Sequence, residues 1–156
     1  MTETLGWFLT WTTYGTWLPG DKRGWTEYHQ GWQMPDPIRQ FEAALWMSED
    51  ACRLTPLQRS EVEQQIAETC AYRGWHLHAV NCRSNHVHLV VTAPEINPIK
   101  IRNDLKAWAT RRLKSKFDSE RDQWWTERGS ARRLHSDASL EGAILYTLDG
   151  QDRKPV

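Results

Sequence analysis

Asn85-His86-Val87-His88-Leu89-Val90-Val91 is the stretch that decides how this chain folds. Its β-branched, apolar run reads as a buried strand, and in a strand residues i and i+2 point to the same face. His86 and His88 therefore project side by side, as two ligands of one metal ion would, while Val87, Leu89 and Val91 face the other way into a core. Neutral imidazole is a common ligand for divalent metals. Two half-exposed strand histidines would give the same pattern, so the surrounding chain has to discriminate.

Just upstream, residues 75–81 alternate around His76, His78 and Val80, and Cys82-Arg83-Ser84-Asn85 is a tight connection, so the two strands form a hairpin. Residues 6–13 (GWFLTWTT) read as a first strand. From 14 to 37 glycine and proline recur without a sustained period, which predicts a long ordered loop, and residues 14–54 form an insertion with a short helix over 37–48. Loops of that length inside a compact domain are usually functional. Thr55-Pro56 starts an amphipathic helix through Leu57, Val62 and Ile66 that ends at Gly74. A second, over 99–116, turns Ile101, Leu105, Trp108 and Leu113 inward. Residues 124–135 read as a hairpin turning at Gly129-Ser130, and Ser136-Asp137 caps a last helix carrying Ile144, Leu145, Tyr146 and Leu148, with Gly150 placed to end it.

This order predicts a single α+β domain spanning 1–156. A ferredoxin-like antiparallel sheet carries two helices on one face, an additional C-terminal helix bears a tyrosine, and the sheet's other face is free to hold a site. No run of about 18 apolar residues is present to span a membrane, and the N-terminus lacks the basic and apolar regions of a signal peptide, so a cytoplasmic location is expected. Cys52, Cys70 and Cys82 are widely spaced and read as reduced structural residues.

The net charge is zero, but it is unevenly spread: 11 basic residues against 5 acidic ones between 97 and 135 leave that segment at +6. Such asymmetry suits a phosphate-binding face, and a solvated helix surface would look the same. Ten tryptophans are present. Trp11, Trp17, Trp25 and Trp32 suit core packing or base stacking equally. The candidates for contact with a nucleic acid are Trp17, Arg83, Asn85, Lys106, Arg111, Arg112, Arg132 and Arg133.

A histidine pair with a divalent ion, a tyrosine and a basic helix suit phosphoryl transfer on a nucleic-acid backbone. The metal would polarise a phosphate oxygen while a phenol oxygen attacks phosphorus in line. The resulting phosphotyrosine ester would conserve the energy of the broken bond, so strands could be rejoined without ATP. Tyr14, Tyr28, Tyr72 and Tyr146 compete for the nucleophile's role. Tyr146 has the rigidity of a helix and lies near Asp149 and Gln151, either able to offer the metal an oxygen.

These same segments carry a family resemblance. The 85–91 motif, the helix with Leu105-Lys106-Ala107-Trp108, Trp124-Trp125-Thr126, Tyr146 and the opening 8–20 (FLTWTTYGTWLPG) resemble, in order, the IS200/IS605-type single-tyrosine transposases, and more closely their REP-associated tyrosine transposase relatives. The resemblance implies a ferredoxin-like HUH endonuclease for single-stranded DNA, often with a hairpin, that uses Mg²⁺ or Mn²⁺ and leaves a 5′-phosphotyrosine and a free 3′-OH. By position, His86 and His88 match the metal pair and Tyr146 the nucleophile. The polar residue that many relatives carry four positions after the tyrosine is here Gly150, which leaves Asp149 and Gln151 as candidates for the third ligand. Both monomers and homodimers are compatible with the family. Two other functions fit the residues: a catalytically inactive single-strand-binding protein, and a metal-dependent phosphodiesterase in which water attacks.

Overall fold

A computed structural model describes residues 3–27 and 29–149. The elements in chain order are β1 (Gly6–Thr12), β2 (Trp25–Glu27), β3 (Gly31–Gln33), α1 (Pro37–Leu45), α2 (Pro56–Arg73), β4 (His76–Cys82), β5 (His86–Thr92), α3 (Pro98–Lys116), β6 (Ser130–Leu134) and α4 (Asp137–Leu148). Four strands form one sheet in the order β4-β5-β1-β6, and every neighbouring pair is antiparallel. With α2 and α3 making the two crossovers, this is the split βαβ arrangement expected from the order of elements.

Period-two patterning sorts the two faces. Leu9 and Trp11 of β1 and Val87, Leu89 and Val91 of β5 join Val62, Ile66, Ile101 and Leu105 of α2 and α3 in the main core. The opposite face carries a smaller cluster of Val90, Leu134 and Ala143, flanked by Phe8, Leu140 and Ile144. That cluster docks α4 on its own sheet. Burying an aliphatic side chain of this size is worth about 1.5–3 kcal/mol, so Val90 and Leu134, both inaccessible, hold the helix firmly. The face expected to be free is therefore partly covered by the tyrosine helix itself.

Helix boundaries follow from capping chemistry. Thr55 and Gln58 form a reciprocal capping box, Pro56 occupies the first turn and Gly74 ends α2 in the left-handed conformation. Ser136 and Ser139 do the same for the start of α4.

Four local readings are corrected. The segment 14–37 is not all loop, because Trp25–Glu27 and Gly31–Gln33 pair as a short hairpin. Residues 124–135 do not form a hairpin with each other. Trp125 bridges Thr13 and 130–134 pairs with β1 instead, since β1 offers an open edge that a local turn cannot match. Trp108 stays over a third exposed, and Ala109 takes the buried position on α3. In β4 a bulge between Leu77 and Ala79 breaks the simple alternation. The three cysteines are free and buried, and burial pushes the Cys70 thiol up to about 12. No described helix is long and apolar enough to cross a membrane.

Candidate active site

The site is built on the central strands. His88 sits opposite Thr10 of β1 and Asn81 of β4, and His86 sits opposite Thr12. The two imidazole centroids are 4.5 Å apart, as side chains two apart on one strand should be. Each ring is held at Nδ1: His88 shares a 2.7 Å hydrogen bond with the Thr10 hydroxyl, and His86 Nδ1 lies 2.7 Å from Asn85 Oδ1. A carbonyl oxygen only accepts, so the His86 Nδ1–H is the donor in this contact. His88 is 9% exposed. Burial, and secondarily the nearby His86, lower its pKa to about 4, so it is a neutral imidazole at pH 7, the form that ligates metal.

Tyr146 comes from the last turns of α4. Its ring meets His88 edge-on at 5.7 Å and Phe8 at 5.9 Å, and Phe8 in turn stacks on His88 at 5.5 Å. The end of α4 is tied down beside His88, because the Asn81 side-chain amide donates to the Thr147 carbonyl at 3.0 Å. Such last-turn carbonyls have no partner within the helix. Phe8, His88, Arg132, Gly142, Ala143 and Tyr146 line a cavity of about 350 Å³. A phenol, an imidazole and a guanidinium thus converge on one space.

Of the residues expected from sequence to form the site, the structure brings together His86, His88, Tyr146, Asn85 and Arg132. Asp149 caps the end of α4, but among the described residues it forms no three-ligand group with the histidines. Gln151 lies outside the described residues. Lys106, Arg111 and Arg112 are on α3, behind the sheet from the histidines. Arg112 bridges Glu61 and Glu68 of α2, and Arg111 stacks on Trp108 at 4.5 Å. Lys106 donates to the Thr126 and Arg128 carbonyls, and its pKa falls to about 8 through burial and then the nearby Arg102. Arg83 lies in the β4–β5 turn, its amide donating to the His86 carbonyl. Arg133 is exposed on β6 opposite Trp7. Trp17 sits in the insertion with Arg23 4.0 Å over its ring. Its indole nitrogen donates to the Gly24 carbonyl.

Sequence reasoning missed Phe8, Thr10 and Asn81. Their roles depend on which strands lie beside the histidine strand, and only the sheet order reveals that. It also missed a local device in the strand leading to β6. Between the Thr13–Trp125 bridge and the Thr10–Ser130 pair, β1 advances three residues while its partner advances five. Lys106 and Arg102 of α3 donate to the carbonyls of the excess, at Thr126, Arg128 and Gly129. Two cations that a charge count assigns to a phosphate partner are here engaged by the chain's own backbone.

Fold and site define a class: split βαβ proteins with a histidine pair on the sheet and a tyrosine helix docked beside it. The family model described as "Transposase IS200 like" matches residues 51–136, and the chain belongs to that family of transposases. The matched stretch contains both histidines and stops short of Tyr146. The fold is similar to that of a protein from Deinococcus radiodurans R1 assigned as a transposase, at 15% identity and a TM-score of 0.55 over 97% of this chain and 93% of that one. It is also similar to the REP-associated tyrosine transposase bound to a REP hairpin, at 13% identity and a TM-score of 0.56 over 94% of this chain and 67% of that one. No curated protein matches the chain.

Proposed function

We propose that this chain cleaves and rejoins single-stranded DNA, with Tyr146 as the attacking group and His86 and His88 as ligands of a divalent ion. The observation that carries this reading is the 5.7 Å contact between Tyr146 and His88 within one chain, at a cavity that Arg132 also lines. Two imidazoles with Nδ1 already engaged suit Mg²⁺ or Mn²⁺, since ligating histidines normally spend their other ring nitrogen on a neighbouring polar group. A metal held there would offset charge on a phosphate oxygen as the transition state forms.

The remaining work falls to the chain. The Tyr146 phenol oxygen bonds to phosphorus as the bond to the 3′-oxygen breaks. The phenol proton leaves to solvent, which reaches this half-exposed side chain, and the departing 3′-oxygen takes up a proton. The products are a 5′-phosphotyrosine and a free 3′-OH, and attack by that or another 3′-OH reverses the step. Arg132 supplies a guanidinium suited to phosphate. A hairpin in the substrate is supported by the likeness to the hairpin-bound transposase.

The test is incubation of labelled single-stranded hairpin oligonucleotides with the protein and Mn²⁺, run on a denaturing gel beside Tyr146→Phe. Label migrating with wild-type protein and not with the variant supports the proposal. Continued hydrolysis without an adduct would mean that water attacks, and binding without cleavage would mean a binding module.

A further inference from the structure

Gly142 has no structural reason to be glycine. Among the described residues, every other glycine either has positive φ or would bring a Cβ within 4 Å of another atom. Gly142 has neither property, and it lies in the middle of α4, where glycine lowers helix stability relative to alanine. It sits one turn before Tyr146, and helical side chains lean toward the N-terminus over the i−4 position. The phenol itself turns to Phe8 and His88, and the space above Gly142 stays open, so both residues line the 350 Å³ cavity.

The other walls say what the space can hold. Phe8 and Ala143 give it an apolar side, and Arg132 gives it a cation. Its volume is at the low end of the range for ligand pockets, about 300–1,000 Å³, so it accepts one small molecule or residue and not a duplex. A flat ring that stacks on an aromatic side chain, joined to an anion that pairs with a guanidinium, is the chemistry of a nucleotide.

We propose that this cavity seats one nucleotide of the DNA strand, the one bearing the phosphate that Tyr146 attacks, and that Gly142 is kept bare to admit its base against Phe8 and Ala143. Gly142 is then a specificity-determining residue that trades helix stability for room. The assignment rests on the reading of Tyr146 as the attacking group.

The experiment compares Gly142→Ala and Gly142→Leu, both in the wild-type protein and in Tyr146→Phe. Fluorescence anisotropy reads binding of a pool of labelled single strands and of abasic strands of the same length. Thermal unfolding is followed in parallel. Gly142→Ala should raise Tm by about 1–4 °C, because a better helix former is placed where nothing obstructs it. Gly142→Leu should keep Tm at or above wild type and weaken binding of normal strands about tenfold, the loss of roughly one stacked base. Its binding of abasic strands should be unchanged. Equal binding of normal strands by Gly142→Leu and wild type would overturn the proposal, as would equal weakening for both kinds of strand. Covalent capture by the Tyr146-containing protein separates the two claims. Gly142-dependent binding without an adduct removes the nucleophile but leaves the nucleotide seat. An adduct indifferent to Gly142→Leu removes the seat and leaves the nucleophile.

Discussion

Thr10→Val isolates the support that β1 gives to the histidine pair. Valine keeps the β-branched shape a strand favours and deletes only the hydroxyl that meets His88 Nδ1 at 2.7 Å. With His88 only 9% exposed, solvent cannot readily replace that partner, and a buried polar group stranded in this way costs about 1–3 kcal/mol. In a chain of this size each kcal/mol lowers Tm by about 2–4 °C. If His88 ligates through Nε2, the same hydroxyl orients the ring, and losing such support costs about 10–100-fold in metal affinity, or about 1.4–2.8 kcal/mol. Calorimetric titration with Mn²⁺, beside thermal unfolding of the metal-free protein, reads both quantities. We expect a Tm lower by several degrees and an affinity lower by at least tenfold. A lowered Tm with unchanged Mn²⁺ affinity would mean that the hydroxyl serves the fold alone and that His88 is not a ligand.

Gly129→Ala should be severe, since a Cβ there would lie 2.4 Å from the Thr10 carbonyl at a φ of +146°. We expect a loss of about 1–3 kcal/mol in denaturant unfolding, with weakened Mn²⁺ binding because the displaced strand carries Thr10. Arg112→Ala should lower Tm by removing the bridge that joins Glu61 and Glu68 of α2 to α3. It should leave the salt dependence of DNA binding unchanged, and a flatter slope would place Arg112 on the DNA path. Asn81→Ala removes the tie to the Thr147 carbonyl, worth about 0.5–1.5 kcal/mol. Faster hydrogen exchange at the end of α4 and slower adduct formation, with DNA affinity unchanged, are the expected results.

Much of the architecture was legible because its signals are local. Thr55-Pro56, Gly74 and Ser136 mark helix ends through hydrogen bonds made within a turn, and the i, i+2 rule alone puts His86 and His88 on one face. What stayed hidden depends on which strands meet. That β1 lies between β5 and β6, and so hands Thr10 and Phe8 to His88 and takes up 130–134, is a property of the sheet order. Charge was the least reliable guide. The +6 segment is real, yet Arg102, Lys106 and Arg112 are turned toward backbone carbonyls and acidic side chains of the same chain. Arg132, a basic residue of the same segment, does line the cavity. A basic residue's partner is set by the packing of its element, which composition does not encode.

Peptide mapping of the trapped complex shows whether Tyr146 bonds covalently to DNA. After incubation with Mn²⁺ and single-stranded hairpin DNA, nuclease trimming and tryptic digestion should leave a nucleotide mass on peptide 134–153, linked through the Tyr146 oxygen. The same mass on a peptide carrying Tyr14, Tyr28 or Tyr72, or cleaved DNA with no modified peptide at all, would contradict the account.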